Sequence, residues 1–352
     1  MQENQYYSQD IHGPWESFNL GNFLLEEGGV IYDAKLAYSV HGELNSTKSN
    51  AILIPTWYSG TSKIMEQLYV GENRTLDPQK YFIIIVDQLG NGLSSSPHNT
   101  PPPWDKANFP RVRIADDVRA QRILLNDEFG IDSLELVVGG SMGAQQVYEW
   151  SVRFPETVKR AAAIAGYAKN TDHDFLYTDI LCEAIKSDLN WQNGNYKSHL
   201  DVHDGLRRHA KIWSVMGLCP EFFAKELWRN LGCVSLEDFQ VGFMEDLFTQ
   251  MDPNNLLCMA WKWQRGDVSR NTNGNLKAAL KRIKAKTFVM PIDTDMFFKI
   301  PDCRREKNMI RDAELRIIKS LSGHFGLFGI EEDYLEQVDR HLKELLDCPT
   351  VI

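Results

Sequence analysis

The sequence predicts an α/β protein, an open and mostly parallel twisted sheet interrupted by one long helical insertion. Three observations predict it. Short unbroken apolar runs such as "AILIP", "YFIIIVD" and "LELVVGG" suit strands buried on both faces, because a strand with one wet face alternates polar and apolar residues. Helical patterns separate these runs, and that alternation supplies the crossovers a parallel sheet needs. From about Tyr167 to Lys284 the alternation stops, and the chain turns rich in Trp, Phe, Met and Leu at helical spacing.

Taken in order, "SFNLGNFLLEEGGVIYDAKLAYSVHG" reads as two strands around the turn Glu26 to Gly29, an N-terminal hairpin. Strands follow at Ala51 to Pro55 and Tyr81 to Asp87. The next stretch, "QLGNGLSSSPHNTPPPWDKANFP", carries too much Gly, Ser and Pro for regular structure. "RIADDVRAQRILLNDEFG" is a helix with Ile114, Val118, Ile123, Leu124 and Leu125 near one face and Gly130 as its stop. "LELVVGG" is a strand, "GAQQVYEWSVRFP" a helix with Val147, Trp150 and Phe154 on one side, and "RAAAIAG" a further strand. Within the insertion, "GLRRHAKIWSVMG", "LEDFQVGFMEDLFTQM" and "NNLLCMAWKWQ" are amphipathic helices. Strands resume at Ala285 to Asp293 and Glu314 to Ser320, and "EDYLEQVDRHLKELL" closes the chain as a helix. The expected domains are a core of residues 1–166 and 285–352 and a helical cap of residues 167–284.

Composition narrows the function. The chain has 352 residues, 43% of them apolar, which is enough for a sizeable core. A net charge of -10 argues against nucleic-acid or acidic-membrane binding, both of which need basic patches. The N-terminus "MQENQYYSQD" lacks the basic and apolar regions of a secretory signal, and no apolar run is long enough to span a bilayer. The six cysteines are far apart and form no CxxC, so reduced thiols in the cytoplasm are expected. The ligand spacing in "DHD" (172–174) and "VHD" (202–204) is poor for a metal, so none is expected.

The stretch "ELVVGGSMGAQQVYEW" carries the chemistry. Gly139-Gly140-Ser141-Met142-Gly143 is G-x-S-x-G where a strand ends and a helix begins. A nucleophilic serine on so sharp a turn projects its hydroxyl above the sheet, and bulk two residues to either side would collide. The helix that starts there also points backbone N–H groups at a developing oxyanion. A serine needs a base, and in this arrangement the chain order is Ser, then Asp or Glu, then His. His324, in the loop "SGHFGLFG" after a late strand, is the expected base. Of the nine histidines, His98, His173, His199, His203 and His209 lie in the long loop or the insertion, His12 and His41 precede the serine, and His341 sits on the last helix. The loop "MPIDTDMFF" offers Asp293 and Asp295. Asp295 is preferred because it lies further past the strand end, where a carboxylate can reach the imidazole.

From Phe109 to Gly166 the motifs run together as FP-x-V-x-I-x-D, GGSMG, then EW and a helix that ends in proline. On these residues the chain resembles the homoserine O-acetyltransferase family of the α/β-hydrolase superfamily. The resemblance implies the α/β-hydrolase fold with a helical cap, Ser141 as nucleophile, Asp295 as acid and His324 as base. It also implies an oxyanion hole made by the amides of Met142 and Tyr58, the latter in Trp57-Tyr58-Ser59-Gly60 where the family motif ends Leu-Thr-Gly. In the transferases an aspartate follows the catalytic histidine and takes the homoserine amine; here Phe325 stands in its place. A buried ammonium without a carboxylate is costly, so the homoserine site is expected to be lost, as in the acetyl-ester hydrolase branch. Trp57, Phe325 and Lys211 (in the place of a cap arginine) are assigned to the substrate pocket by the same resemblance.

The leading expectation is therefore a serine hydrolase of short-chain acyl esters, acetyl esters foremost, working through an acyl-enzyme without a cofactor. The competing expectation is acetyl transfer from acetyl-CoA, as co-substrate, to homoserine or another alcohol. A third, a catalytically dead binding fold, requires a broken triad or a blocked elbow, and the sequence has neither. The expected partner is a small-molecule ester, with a second copy of the chain docked through apolar faces of the cap as in relatives.

Overall fold

The computed structural model describes residues 4–350. Its centre is an eight-stranded sheet in the order β1-β2-β4-β3-β5-β6-β7-β8. The strands are β1 (Glu16–Leu24), β2 (Val30–His41), β3 (Ala51–Pro55), β4 (Phe82–Val86), β5 (Leu136–Gly140), β6 (Arg160–Ile164), β7 (Lys286–Met290) and β8 (Ala313–Leu315). β1 pairs antiparallel with β2, and β2 antiparallel with β4. Every later pairing is parallel. All five residues of β3, β4, β5 and β6 are buried, as the unbroken apolar runs predict. Each fully buried Ile, Leu or Val in these strands contributes roughly 1.5–3 kcal/mol.

The helices follow as α1 (Ser62–Tyr69), α2 (Ile114–Asp127), α3 (Met142–Arg153), α4 (Asp172–Lys186), α5 (His203–Met216), α6 (Pro253–Gln264), α7 (Ile300–Lys307) and α8 (Glu332–Asp347), with shorter turns between them. At the end of α2, Gly130 takes φ +62° and its N–H donates to Asn126 O, the left-handed stop the sequence predicts. Between β6 and β7 the chain holds helices and turns but no named strand. Among these, "LEDFQVGFMEDLFTQM" is not one α-helix: Gln240–Glu245 widens into a π-turn between two short helical pieces.

One detail differs from the sequence expectation. The strand expected over Glu314 to Ser320 pairs regularly only at Ala313–Leu315, with a single further bridge from Ile318 to Ile292. An edge strand with one neighbour has half the ladder to hold it straight. Asp172 and Asp174 begin α4, where Asp174 closes a capping box with Thr171. Among the described residues no helix is long and apolar enough to cross a membrane, and all six cysteines are free thiols.

The insertion is pinned to the sheet by a buried ion pair. Lys262 on α6 and Asp117 on α2 are both fully buried, with Nζ 2.5 Å from Asp117 Oδ2. The ammonium also donates to Leu89 O at 2.7 Å and to Gln88 Oε1 at 3.2 Å. Gln88 Nε2 in turn donates to Thr56 O at 2.6 Å, so the network reaches the loop that leaves β3.

Candidate active site

Ser141 sits where β5 turns into α3, with φ 53° and ψ −120°. A non-glycine residue at positive φ is strained, of order 1–3 kcal/mol. Neighbouring contacts impose it: Ser141 N–H donates to Ile164 O at 2.9 Å, while Gly143 leaves no room to relax. A Cβ on Gly143 would lie 2.6 Å from Pro55 O, and one on Gly139 would lie 2.6 Å from the Gly143 carbonyl carbon. The two glycines of the motif are therefore steric requirements of the turn.

The hydroxyl meets its base across the sheet top. Ser141 Oγ is 3.0 Å from His324 Nε2, and His324 Nδ1 is 2.7 Å from Asp295 Oδ2. Ser141, Asp295 and His324 are 3%, 1% and 4% exposed, so these contacts act with little water to screen them. The other carboxylate oxygen, Asp295 Oδ1, accepts the amides of Phe297 and Phe298, both at 3.0 Å. With one oxygen held by two backbone donors, the other is aimed at the imidazole. Phe297 packs on His324 at 4.4 Å between ring centroids. The histidine loop is tied down by Glu331, whose carboxylate accepts Leu321 N–H and Ser322 N–H at 3.0 Å. Asp293 turns away: it accepts from Ser320 N–H at 3.1 Å and pairs with Lys319 at 3.0 Å.

Of the two residues assigned to the oxyanion hole, Tyr58 lines the same cavity as the serine, and Met142 directly follows the serine in the chain. Met142 N–H is the first of α3 and lies outside the helical ladder. Gly60 N–H donates to Trp57 O, closing a turn that leaves Tyr58 N–H without an acceptor among the described residues. Tyr58 and Ser141 line one cavity with Trp57, Trp213, Phe248, Phe325 and Phe328. It is small, with about 20 Å³ open to the centre of a water-sized sphere, little more than one water occupies. No carboxylate lines it.

Trp57 and Phe325 thus stand in the cavity wall. Lys211 does not: its side chain is 63% exposed and lies 3.9 Å from Glu245. The cause is helical phase, since α5 turns His209, Ala210 and Trp213 inward and position 211 falls on the opposite face. Sequence reasoning missed Phe248 and Phe328, which reach the cavity from separate segments. Phe328 had a signal, because it shares the short helical turn Gly323–Phe328 with His324. Arg113 pairs with Glu27, and Arg111 lies over the ring of Trp261 at 5.4 Å.

Comparison with known proteins agrees with this architecture. A profile described as alpha/beta hydrolase fold matches residues 51–212. The chain is 58% identical to an ethyl acetate hydrolase of Pseudomonas veronii, over 98% of this chain and 99% of that protein. The crystal structure of an acetylester hydrolase from Corynebacterium glutamicum superposes with a TM-score of 0.98 at 54% identity, covering 99% of this chain and all of that one. A homoserine O-acetyltransferase of Thermobifida fusca is 29% identical over 92% of this chain and 90% of its own length. With a serine elbow on a sheet of this topology and relatives of this identity along its whole length, the chain belongs to the α/β-hydrolase family, with acetyl-ester hydrolases as its near kin and homoserine O-acetyltransferases as distant kin.

Proposed function

We propose that the protein is a serine carboxylic-ester hydrolase that cleaves acetyl and other short acyl esters. Ser141 Oγ attacks the ester carbonyl and its proton passes to His324 Nε2. Asp295 holds the imidazole with Nδ1–H toward it and stabilises the imidazolium. The amides of Met142 and Tyr58 receive the oxyanion; each such donor is worth on the order of 100–1,000-fold in rate. His324 returns the proton to the departing alcohol, leaving an acetyl ester on Ser141. Water, deprotonated by the same nitrogen, then releases the acid.

The observation that carries the proposal is a complete serine–histidine–aspartate chain at the wall of an aromatic cavity free of carboxylates. The relatives named as acetyl-ester hydrolases support it. Acetyl transfer to homoserine is disfavoured by Phe325, which is 2% exposed and packs edge-on to Trp213 at 5.8 Å where an ammonium would need a carboxylate. The test is hydrolysis of p-nitrophenyl acetate against the butyrate and octanoate esters, with Ser141→Ala as control. Activity that falls steeply with acyl length and vanishes in the variant is expected; equal activity of variant and wild type would refute it. Separately, thiol release from acetyl-CoA should not respond to homoserine.

We further infer a homodimer formed through the cap and residence in the cytoplasm. The apolar side chains Leu176, Ile180, Val215 and Val241 are 55–69% exposed on helical segments between β6 and β7, and six free thiols suit a reducing compartment. Light scattering of the wild type and of Leu176→Glu/Ile180→Glu tests the pairing, with a monomeric mass for the wild type as the refuting result.

A further inference from the structure

We propose that His209, a buried residue of α5 far in sequence from the catalytic triad, is a positioning residue that locks together the oxyanion loop and the catalytic imidazole. The inference rests on the hydrolase reading of the site. His209 is 0% exposed, and both ring nitrogens are engaged. Nδ1 lies 3.2 Å from Leu181 O, which can only accept, so that nitrogen carries the hydrogen. Nε2 lies 3.1 Å from Trp213 Nε1, whose N–H can only donate, so that nitrogen keeps its lone pair. The partners on either side fix one neutral tautomer. Burial agrees, pushing the pKa down to about 4.

Each of the two groups that meet at Nε2 leads to the reaction centre. The Trp213 indole lies nearly parallel to the His324 ring, 25° between planes and 6.2 Å between centroids. With its N–H anchored, the indole walls one side of the imidazole and limits its tilt. The Tyr58 hydroxyl lies 3.4 Å from the same Nε2 and donates to Leu256 O at 3.2 Å, and the two rings stack within 23° of parallel. Tyr58 is the residue whose backbone amide is assigned to the oxyanion hole, and it lines the cavity with Ser141, so fixing its side chain restrains that amide. One imidazole in the cap thus registers the oxyanion donor on one side of the serine and the proton acceptor on the other. A displacement of about 1 Å in such groups costs on the order of 100-fold in rate.

The test reads Ser141 directly. A fluorophosphonate forms a bond between Ser141 Oγ and phosphorus, expels fluoride, and sends the hydroxyl proton to His324 Nε2, so its rate reports the same groups without a natural substrate. His209→Phe keeps the ring's bulk and removes both hydrogen bonds. His209→Gln can place an oxygen near the Nε2 position and accept the indole N–H; His209→Asn reaches only the nearer position, facing Leu181 O. The Phe and Asn variants are expected to slow both phosphonylation and kcat by on the order of 100-fold with KM within about threefold. The Gln variant should stay within about fivefold of wild type, and His209→Phe should cost under about threefold more in a Tyr58→Phe/Trp213→Phe background. Wild-type rates in His209→Phe, a Gln variant as slow as Asn, or full additivity on the double background would overturn the proposal. If the Phe variant does not fold, the Gln and Asn pair carries the comparison alone. A wild type that is labelled at Ser141 yet inert toward esters would sink the hydrolase reading while leaving this comparison intact.

Discussion

Replacing Asp295 by Asn should lower kcat by about 10⁴-fold, and the hydrogen bonds around the carboxylate show why. One oxygen accepts two backbone amides, from Phe297 and Phe298, at 3.0 Å each. An asparagine must keep its carbonyl oxygen there, because turning the NH2 group toward two N–H donors would leave three buried donors facing one another. The NH2 group is then forced toward His324 Nδ1, where Asp295 now accepts at 2.7 Å. Nδ1 must become the acceptor and Nε2 must carry the hydrogen. That hydrogen points at Ser141 Oγ, 3.0 Å away, and the base has no lone pair for the serine proton. A factor of 10⁴ corresponds to about 5.4 kcal/mol of transition-state stabilisation. The assay is steady-state hydrolysis of p-nitrophenyl acetate with Asp293→Asn beside it. Asp293 pairs with Lys319 at the surface, so its variant should stay within about twofold, as surface ion pairs contribute little. Asp295→Asn at a tenth of wild-type rate or better, or an equal loss in Asp293→Asn, would refute the tautomer argument.

Three further outcomes are expected. Gly143→Ala places a Cβ 2.6 Å from Pro55 O, so the elbow must distort; ester hydrolysis should fall by at least about 100-fold, with a lowered melting temperature. Lys262→Met leaves Asp117 buried without its cation, and should cost about 3–5 kcal/mol in urea unfolding at pH 8. Asp87 is fully buried with one carboxylate oxygen unpartnered, and burial pushes its pKa up to about 7. The folded chain therefore holds a proton that the unfolded chain releases from about pH 4 upward, so this group's contribution to stability falls as pH rises to 7. Asp87→Asn should flatten the decline in melting temperature between pH 5 and 8; an unchanged slope would refute the assignment.

The features legible in the sequence are those written in local chemistry. β3 to β6 announce themselves as apolar runs because a strand covered on both faces has no polar side to show. The elbow is legible because Gly139 and Gly143 answer a clash within a few residues of Ser141. His324 follows from chain order once the sheet is recognised. α1 and α7, eight residues each, went unseen because two turns carry too little periodicity to separate from loop.

What the sequence alone determined was the sheet, the nucleophile and its base, because strand burial and a crowded turn act over a few neighbouring residues. The sequence preferred Asp295 over Asp293, and the tertiary structure supplied what separates them: the Phe297 and Phe298 amides and Lys319 pull the two carboxylates opposite ways. It likewise closed the cavity with Trp213, Phe248 and Phe328. The meeting of Asp295 with His324 and the closing of the cavity depend on contacts between segments apart in the chain, and such contacts leave no period or spacing to read.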